Sequence, residues 1–310
     1  MKITVIGAGN VGASVAQQIA YQELANEVVL VDIADGIPQG KGLDLLEALP
    51  VLGSDTYVHG TNSYEPTAGS DIVVITAGLA RKPGMSRDDL LAANAKIVAS
   101  CAEQAVAHSP NALFILVSNP LDVMTYLTLR VTKLPRHRVV GMAGVLDTAR
   151  YRTFIAMELG CSVEDIQALL MGGHGDSMVP LPRYTTVAGI PLEQLLPAEK
   201  IAAIVQRTKD GGIEIVNYLK TGSAYYAPAA STVEMIESIV KNKHRILPCS
   251  ALCDGEYGLR DVCIGVPVKL GSSGIEQILQ VQLSEDEQAL LEKSAADVRS
   301  NIATLVELGY

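Results

Sequence analysis

The chain predicts an α/β protein: a doubly wound parallel sheet followed by an α+β domain with antiparallel strands. Three observations carry this reading. Short apolar runs at residues 2–6, 27–31, 71–76, 113–117 and 139–142 lack polar alternation, as strands buried on both faces do. Helical patterns at 13–24, 37–49, 88–107 and 122–132 separate them, the rhythm of a parallel sheet covered by helices. Beyond residue 142 that rhythm stops, and two strand-like runs, 246–252 and 262–268, face each other across an Asp254-Gly255 turn. The organisation expected is therefore a first domain over 1–142 and a second over 143–310.

The first strand carries the first chemistry. It runs into Gly7-Ala8-Gly9-Asn10-Val11-Gly12, and a periodic helix follows. In that setting Gly7 permits the tight turn, Gly9 lets a pyrophosphate approach the backbone, and Gly12 lets helix and strand pack closely. The helix N-terminus then offers free N–H donors and the positive end of its dipole. The second strand ends in Asp32, twenty residues after Gly12. A carboxylate there accepts hydrogen bonds from the adenosine ribose and repels a 2′-phosphate, so NAD is expected over NADP. The glycine spacing alone is weak evidence; strand, helix and acid together make a Rossmann-type domain.

Further along, the strand ends collect on one edge of the sheet, where ligands bind in such folds. The loop Arg81-Lys-Pro-Gly-Met-Ser-Arg87 reads either as a solvated basic loop or as a lid carrying two guanidinium groups. Val117-Ser118-Asn119-Pro120 ends an apolar strand, and Asn119 offers a hydrogen bond to a carbonyl or carboxamide. Asp147 and Arg150 open the helix at 143–159 and share one of its faces. They make either an ordinary surface ion pair or a cleft pair, the acid orienting a histidine and the arginine clamping a carboxylate.

The run 166–170 reads as a buried strand, and Met171-Gly-Gly-His174-Gly-Asp-Ser follows it. A histidine at a strand end among glycines is placed for proton transfer. On its own it is more simply a histidine in a turn. Helices are expected at 197–219, 224–242 and 285–308, the last with Ser284 as N-cap.

Composition sets the limits. With 48% hydrophobic residues in 310 the chain is globular, and no apolar run reaches the ~18 residues of a membrane span. A net charge of -10 argues against nucleic acid and anionic membranes as partners. The chain enters a strand at Lys2, which leaves no room for a targeting peptide, so a cytoplasmic location is expected. The five cysteines then read as reduced, buried thiols. Cys249, Cys253, Cys263 and His244 lack the paired spacing of a zinc site, and no metal is expected.

Taken in order, the glycine motif, the loop 81–87, Val117–Pro120, Val145-Leu-Asp-Thr-Ala-Arg150, Gly173-His-Gly-Asp176 and Asp254-Gly-Glu-Tyr-Gly258 resemble the lactate/malate dehydrogenase family along essentially the whole chain. The likeness is closest to the malate enzymes built on the lactate dehydrogenase scaffold. It implies NAD as cofactor, a small dicarboxylate (malate or oxaloacetate) as substrate, and a homo-oligomer, tetramer or dimer, with the helix at 37–49 as a candidate interface. By resemblance, His174 exchanges the proton, oriented by Asp147; Arg150 binds the C1 carboxylate; Arg87 polarises the carbonyl; Asn119 touches substrate and cofactor. Gly7, Ala8, Gly9, Asn10, Val11, Gly12, Asp32, Asn94, Val117, Ser118 and Asn119 match NAD-contacting positions. Arg81 stands where the lactate enzymes resemble one another in a neutral Gln and the malate enzymes in an Arg. Ala224 departs from the Thr usual in lactate enzymes.

Two alternatives stand beside this reading. A non-catalytic NAD-sensing regulator should show a DNA-binding helix pair or basic patch, and neither is evident. An L-lactate dehydrogenase, or another 2-hydroxy-acid dehydrogenase, differs chiefly at Arg81 and around Ala224.

Overall fold

The computed structural model describes residues 1–79 and 87–310. Strand and helix alternate through the first part: β1 (Lys2–Ile6), α1 (Asn10–Tyr21), β2 (Glu27–Val31), α2 (Ile37–Leu52), β3 (Tyr57–Thr61), β4 (Ile72–Ile75), α3 (Arg87–His108), β5 (Leu113–Leu116), α4 (Leu121–Thr132) and β6 (Val139–Gly141). The second part is helix-rich with short strands: α5 (Gly144–Leu159), β7 (Ile166–Gln167), β8 (Leu170–Gly172), β9 (Met178–Pro180), β10 (Thr186–Val187), β11 (Ile190–Pro191), α6 (Leu192–Leu195), α7 (Ala198–Leu219) and α8 (Tyr226–Val240). It closes with β12 (Arg245–Asp254), β13 (Arg260–Gly271), β14 (Gly274–Ile278) and α9 (Glu285–Glu307).

One large sheet spans both parts, in the order β3-β2-β1-β4-β5-β6-β12-β13-β8-β9. The first six strands are parallel: Ile3 lies opposite both Val28 and Ile72. The apolar side chains of the inner strands, among them Val28, Val74, Phe114 and Ile115, are fully buried, which is why those runs show no polar alternation. The order reverses at β1, where β4 joins on its other side, and the crevice at the carboxyl ends opens there. From β6 onward the pairing turns antiparallel, with Gly141 opposite Ser250 and then ten residues of β12 matched along β13.

Most expected elements stand within a few residues of their sequence bounds. Ser284 caps α9 with a reciprocal box: its hydroxyl accepts from Glu287 N–H at 3.2 Å, and Glu287 Oε2 accepts from Ser284 N–H at 2.8 Å. Helix α1 starts three residues before the expected position because the glycine loop itself closes its first turn. Helix α2 continues through Pro50 to Leu52 and stops at Gly53.

Two departures have physical reasons. Strand β3 was not expected: it lies at the sheet edge, and its polar residues His59 and Thr61 and its Gly60 dilute the apolar signal. The single strand expected over 166–170 is two strands in two sheets. Ile166 and Gln167 pair with β10 in a small three-stranded sheet, while Leu170 begins β8 in the large one. Both Ile166 and Leu170 are buried, so the run is apolar although the chain changes sheets inside it.

Cys101, Cys249, Cys253 and Cys263 are buried free thiols and Cys161 is half-buried. Burial raises the Cys253 thiol to about 12. Among the described residues no helix is long and apolar enough to cross a membrane.

Candidate active site

The glycine loop fixes the cofactor edge. A Cβ on Gly12 would lie 1.8 Å from the Gly7 carbonyl, and one on Gly7 (φ +104) would lie 2.7 Å from Thr76 Oγ1. Either side chain would push the loop off β4, where Thr76 Oγ1 bonds the carbonyls of Ile6 and Gly7. At Gly9 a Cβ would meet nothing within 4 Å, so the loop presents an open backbone face. Gly9 also caps α1 without a side chain, so the N–H groups of Asn10 and Val11 stay open, while Ala13 N–H closes the first turn on the Gly9 carbonyl at 3.0 Å. Beside it, Asp32 Oδ2 accepts from Ala8 N–H at 2.6 Å and Oδ1 from Ala34 N–H at 2.9 Å. Each oxygen keeps a lone pair for a ribose hydroxyl. The cradle fits a dinucleotide.

The next loops are tied together beneath this edge. Ser118 Oγ donates to the Ala77 carbonyl at 2.6 Å, and Val117 N–H to the Ile75 carbonyl at 2.9 Å. Asn94 is buried, and its amide is spent on backbone. Its Oδ1 accepts from Leu79 N–H at 2.7 Å, and its Nδ2 donates to Leu79 and Asn119 carbonyls at 3.2 and 2.7 Å. Asn94 thus pins the loops after β4 and β5 together, and Asn119 itself is exposed above it.

Three helices converge on the histidine loop. Its ring Nδ1 stands 2.9 Å from Asp147 Oδ2 on α5. Its backbone N–H donates to Asp122 Oδ2 on α4 at 2.8 Å, and the preceding Gly173 N–H donates to Ser294 Oγ on α9 at 2.7 Å. The His174 side chain is 18% exposed and Asp147 only 2%. Burial pulls the imidazole pKa down; the charge and hydrogen bond of Asp147, with Asp122 behind it, outweigh burial and hold it above its ordinary value.

Asp147 and Arg150 do share one helical face, and that face points into the site. Arg150 Nη1 lies 3.6 Å from Asp147 Oδ1, beyond hydrogen-bond length. Burial lowers the Arg150 pKa and Asp147 partly offsets it; the guanidinium stays charged. Among the described residues neither Arg150 Nε nor Asp147 Oδ1 has a hydrogen-bond partner. A half-buried guanidinium whose Nε has no partner can take a carboxylate. Arg81 lies outside the described residues, as does the side chain of Arg87.

Several neighbours were missed in the sequence. Asp122 sits between Leu121 and Val123 in the first turn of α4, and all three are buried, but an acid at a helix start gives no sign of that in the sequence. Ser250 Oγ on β12 donates to Asp122 Oδ1 at 2.7 Å. Lys41 reaches from α2 to the Ala8 carbonyl at 2.7 Å, with only a lone lysine in a Gly-rich helix to announce it. Gly211 and Gly212 in α7 lie against the Arg150 side chain.

Comparison with known proteins places this architecture. Residues 1–141 match the family description "lactate/malate dehydrogenase, NAD binding domain", and 144–308 match "lactate/malate dehydrogenase, alpha/beta C-terminal domain". A malate dehydrogenase of Chloroherpeton thalassium is 63% identical over 301 residues, 97% of each chain. The solved malate dehydrogenase of Salinibacter ruber is 58% identical with a TM-score of 0.96, over 99% of this chain and 98% of that one. The lactate dehydrogenase of Cryptosporidium parvum, solved with lactic acid and NAD, is 44% identical with a TM-score of 0.94, over 98% and 97%. The chain belongs to the lactate/malate dehydrogenase family, whose first module is its NAD-binding domain.

Proposed function

We propose that the chain is a malate dehydrogenase that interconverts (S)-malate and oxaloacetate. The observation that carries the chemistry is the His174–Asp147 pair at 2.9 Å with the unspent Arg150 fork beside it. Gly7 to Gly12 and Asp32 would hold the dinucleotide. When bound, NAD supplies the acceptor or donor of hydride for C2 of the substrate.

Asp147 occupies Nδ1, so Nε2 is the nitrogen left to exchange a proton with the C2 oxygen. Neutral His174 takes the hydroxyl proton from malate; protonated His174 returns it to oxaloacetate. Asp147 favours the imidazolium and fixes the ring. Arg150 binds the C1 carboxylate as a planar two-pronged fork. Arg87 polarises the C2 carbonyl, and Asn119 orients substrate against cofactor.

Choice of substrate rests on Arg81. Oxaloacetate carries a second carboxylate that this guanidinium can pair, whereas pyruvate leaves it facing a methyl group. An unpaired charge in a closed, dry site is costly, so Arg81 both attracts the dicarboxylate and rejects the monocarboxylate. The relatives at 58–63% identity named malate dehydrogenase support the same choice. Oxidation of NADH with oxaloacetate and with pyruvate, side by side, tests it: a strong preference for oxaloacetate is expected, and equal or faster turnover of pyruvate overturns it.

A homo-oligomer is part of the same reading. Helix α2 exposes Leu43, Val51 and Leu52, and α7 and α8 expose Ile213, Tyr218 and Tyr226, apolar side chains that a second copy could cover. Sedimentation equilibrium of the purified chain measures it directly.

A further inference from the structure

Resting on the assignment of His174 as the proton carrier, we propose that Asp122 is a second positioning carboxylate, which holds the His174 backbone from α4. Two acids from two helices thus act on one histidine: Asp147 on the ring and Asp122 on the backbone N–H.

The geometry is specific. Asp122 stands in the first turn of α4 and is 4% exposed. Its two oxygens are divided between elements: Oδ2 accepts from His174 N–H at 2.8 Å and Oδ1 from Ser250 Oγ–H at 2.7 Å. A buried carboxylate with neither a cation nor hydrogen-bond donors beside it would be neutralised by protonation. Burial does raise the Asp122 pKa, and Asp147 raises it further, while the Ser250 and His174 donors and the His174 charge oppose both. The arrangement links β12, α4 and the histidine loop, so strand and helix together set where the ring stands.

Among the described residues, the charged groups that act on His174 are Asp147 and Arg150 from α5 and Asp122 from α4. Arg150 works against the imidazolium and Asp147 for it. Asp122 adds to the favourable side, and neutralising it makes the imidazolium easier to deprotonate. The substitution Asp122→Asn suits the test because it preserves the bonds. The amide oxygen can accept from His174 N–H, and the amide nitrogen can donate to the Ser250 hydroxyl. Shape is kept and charge is removed.

The experiment is the pH profile of kcat/KM for oxaloacetate and for malate in the parent enzyme and in Asp122→Asn. Reduction needs protonated His174 and falls as pH rises through its pKa; oxidation needs it neutral and rises. In the variant both limbs should move to lower pH. On the alkaline limb a half-unit move reads as about a three-fold loss with oxaloacetate. Superimposable profiles, or limbs displaced to higher pH, overturn the proposal. Should Asp122→Asn not fold, Ser250→Ala, which removes one donor that keeps the carboxylate ionised, should move the limbs the same way by less; unmoved limbs overturn it equally. A His174→Asn variant that retained turnover would instead remove the assignment on which the inference rests, so the two failures are distinct.

Discussion

Gly211 in α7 gives the Arg150 side chain its room: a Cβ built there would lie 3.1 Å from Arg150 Cδ. Gly212 lies beside it, where a Cβ would come 3.8 Å from Arg150 Nη2. Glycine inside a helix costs roughly 1 kcal/mol relative to alanine, and α7 carries two in succession. The stem of Arg150, the arginine proposed to bind the substrate carboxylate, lies against the notch they leave.

Gly211→Ala should therefore separate activity from stability. The new methyl group pushes Arg150 by tenths of an ångström, and misplacing an orienting fork is expensive. We expect kcat/KM for oxaloacetate to fall up to about ten-fold, mainly through KM. Thermal stability should hold or rise, since alanine favours the helix. Steady-state kinetics and a melting curve on the same preparation decide it; unchanged kcat/KM would show the notch to be dispensable.

The cofactor preference follows from Asp32. A 2′-phosphate would face a carboxylate held in place by the N–H groups of Ala8 and Ala34. NADH should exceed NADPH in kcat/KM by on the order of 100-fold, about 2.7 kcal/mol. Asp32→Ser should narrow that gap, with some loss of NADH affinity because the Ala8 tether goes too. Equal efficiency of the two cofactors in the unmodified enzyme would contradict the assignment.

How much of this was legible in the sequence depends on the residue. The glycine loop and Asp32 were readable because each answers a local backbone need: a turn, a close approach, a strand end. His174, Asp147 and Arg150 were readable as a set only through their resemblance to a family, since 27 residues separate Asp147 from His174 and no local pattern joins them. Asp122 was hidden for a different reason. Its partners, His174 and Ser250, are 52 and 128 residues away, and an acid in the first turn of a helix has an ordinary local explanation. Strand β3 was hidden because an edge strand buries too little to write an apolar pattern.

The raised His174 pKa has a sign that activity should follow. Oxaloacetate reduction should stay near its plateau at pH values where an ordinary histidine is already losing its proton, then fall through the raised pKa. Malate oxidation should be the mirror image, rising over the same interval. Asp147→Asn removes the largest favourable influence, so both limbs should shift to lower pH and turnover should fall. Limbs that stay fixed in Asp147→Asn would detach that carboxylate from the histidine.

Substrate choice is tested at Arg81. Arg81→Gln should lower kcat/KM for oxaloacetate by at least about 100-fold and raise activity on pyruvate, because discrimination through a lost polar partner can reach about 10⁴-fold. It need not make a good lactate dehydrogenase, since Ala224 and the remaining pocket are unchanged. A variant that kept its full preference for oxaloacetate would reduce Arg81 to a solvated loop residue.

The central claim is that His174, held by Asp147, moves the proton. His174→Asn, assayed for NADH binding by fluorescence titration and for oxaloacetate turnover, tests it most directly. NADH affinity should be retained, because the glycine loop and Asp32 lie on other elements. Turnover should fall by roughly two orders of magnitude or more, the scale of a lost general acid–base. Near-parental turnover with intact NADH binding would contradict the mechanism.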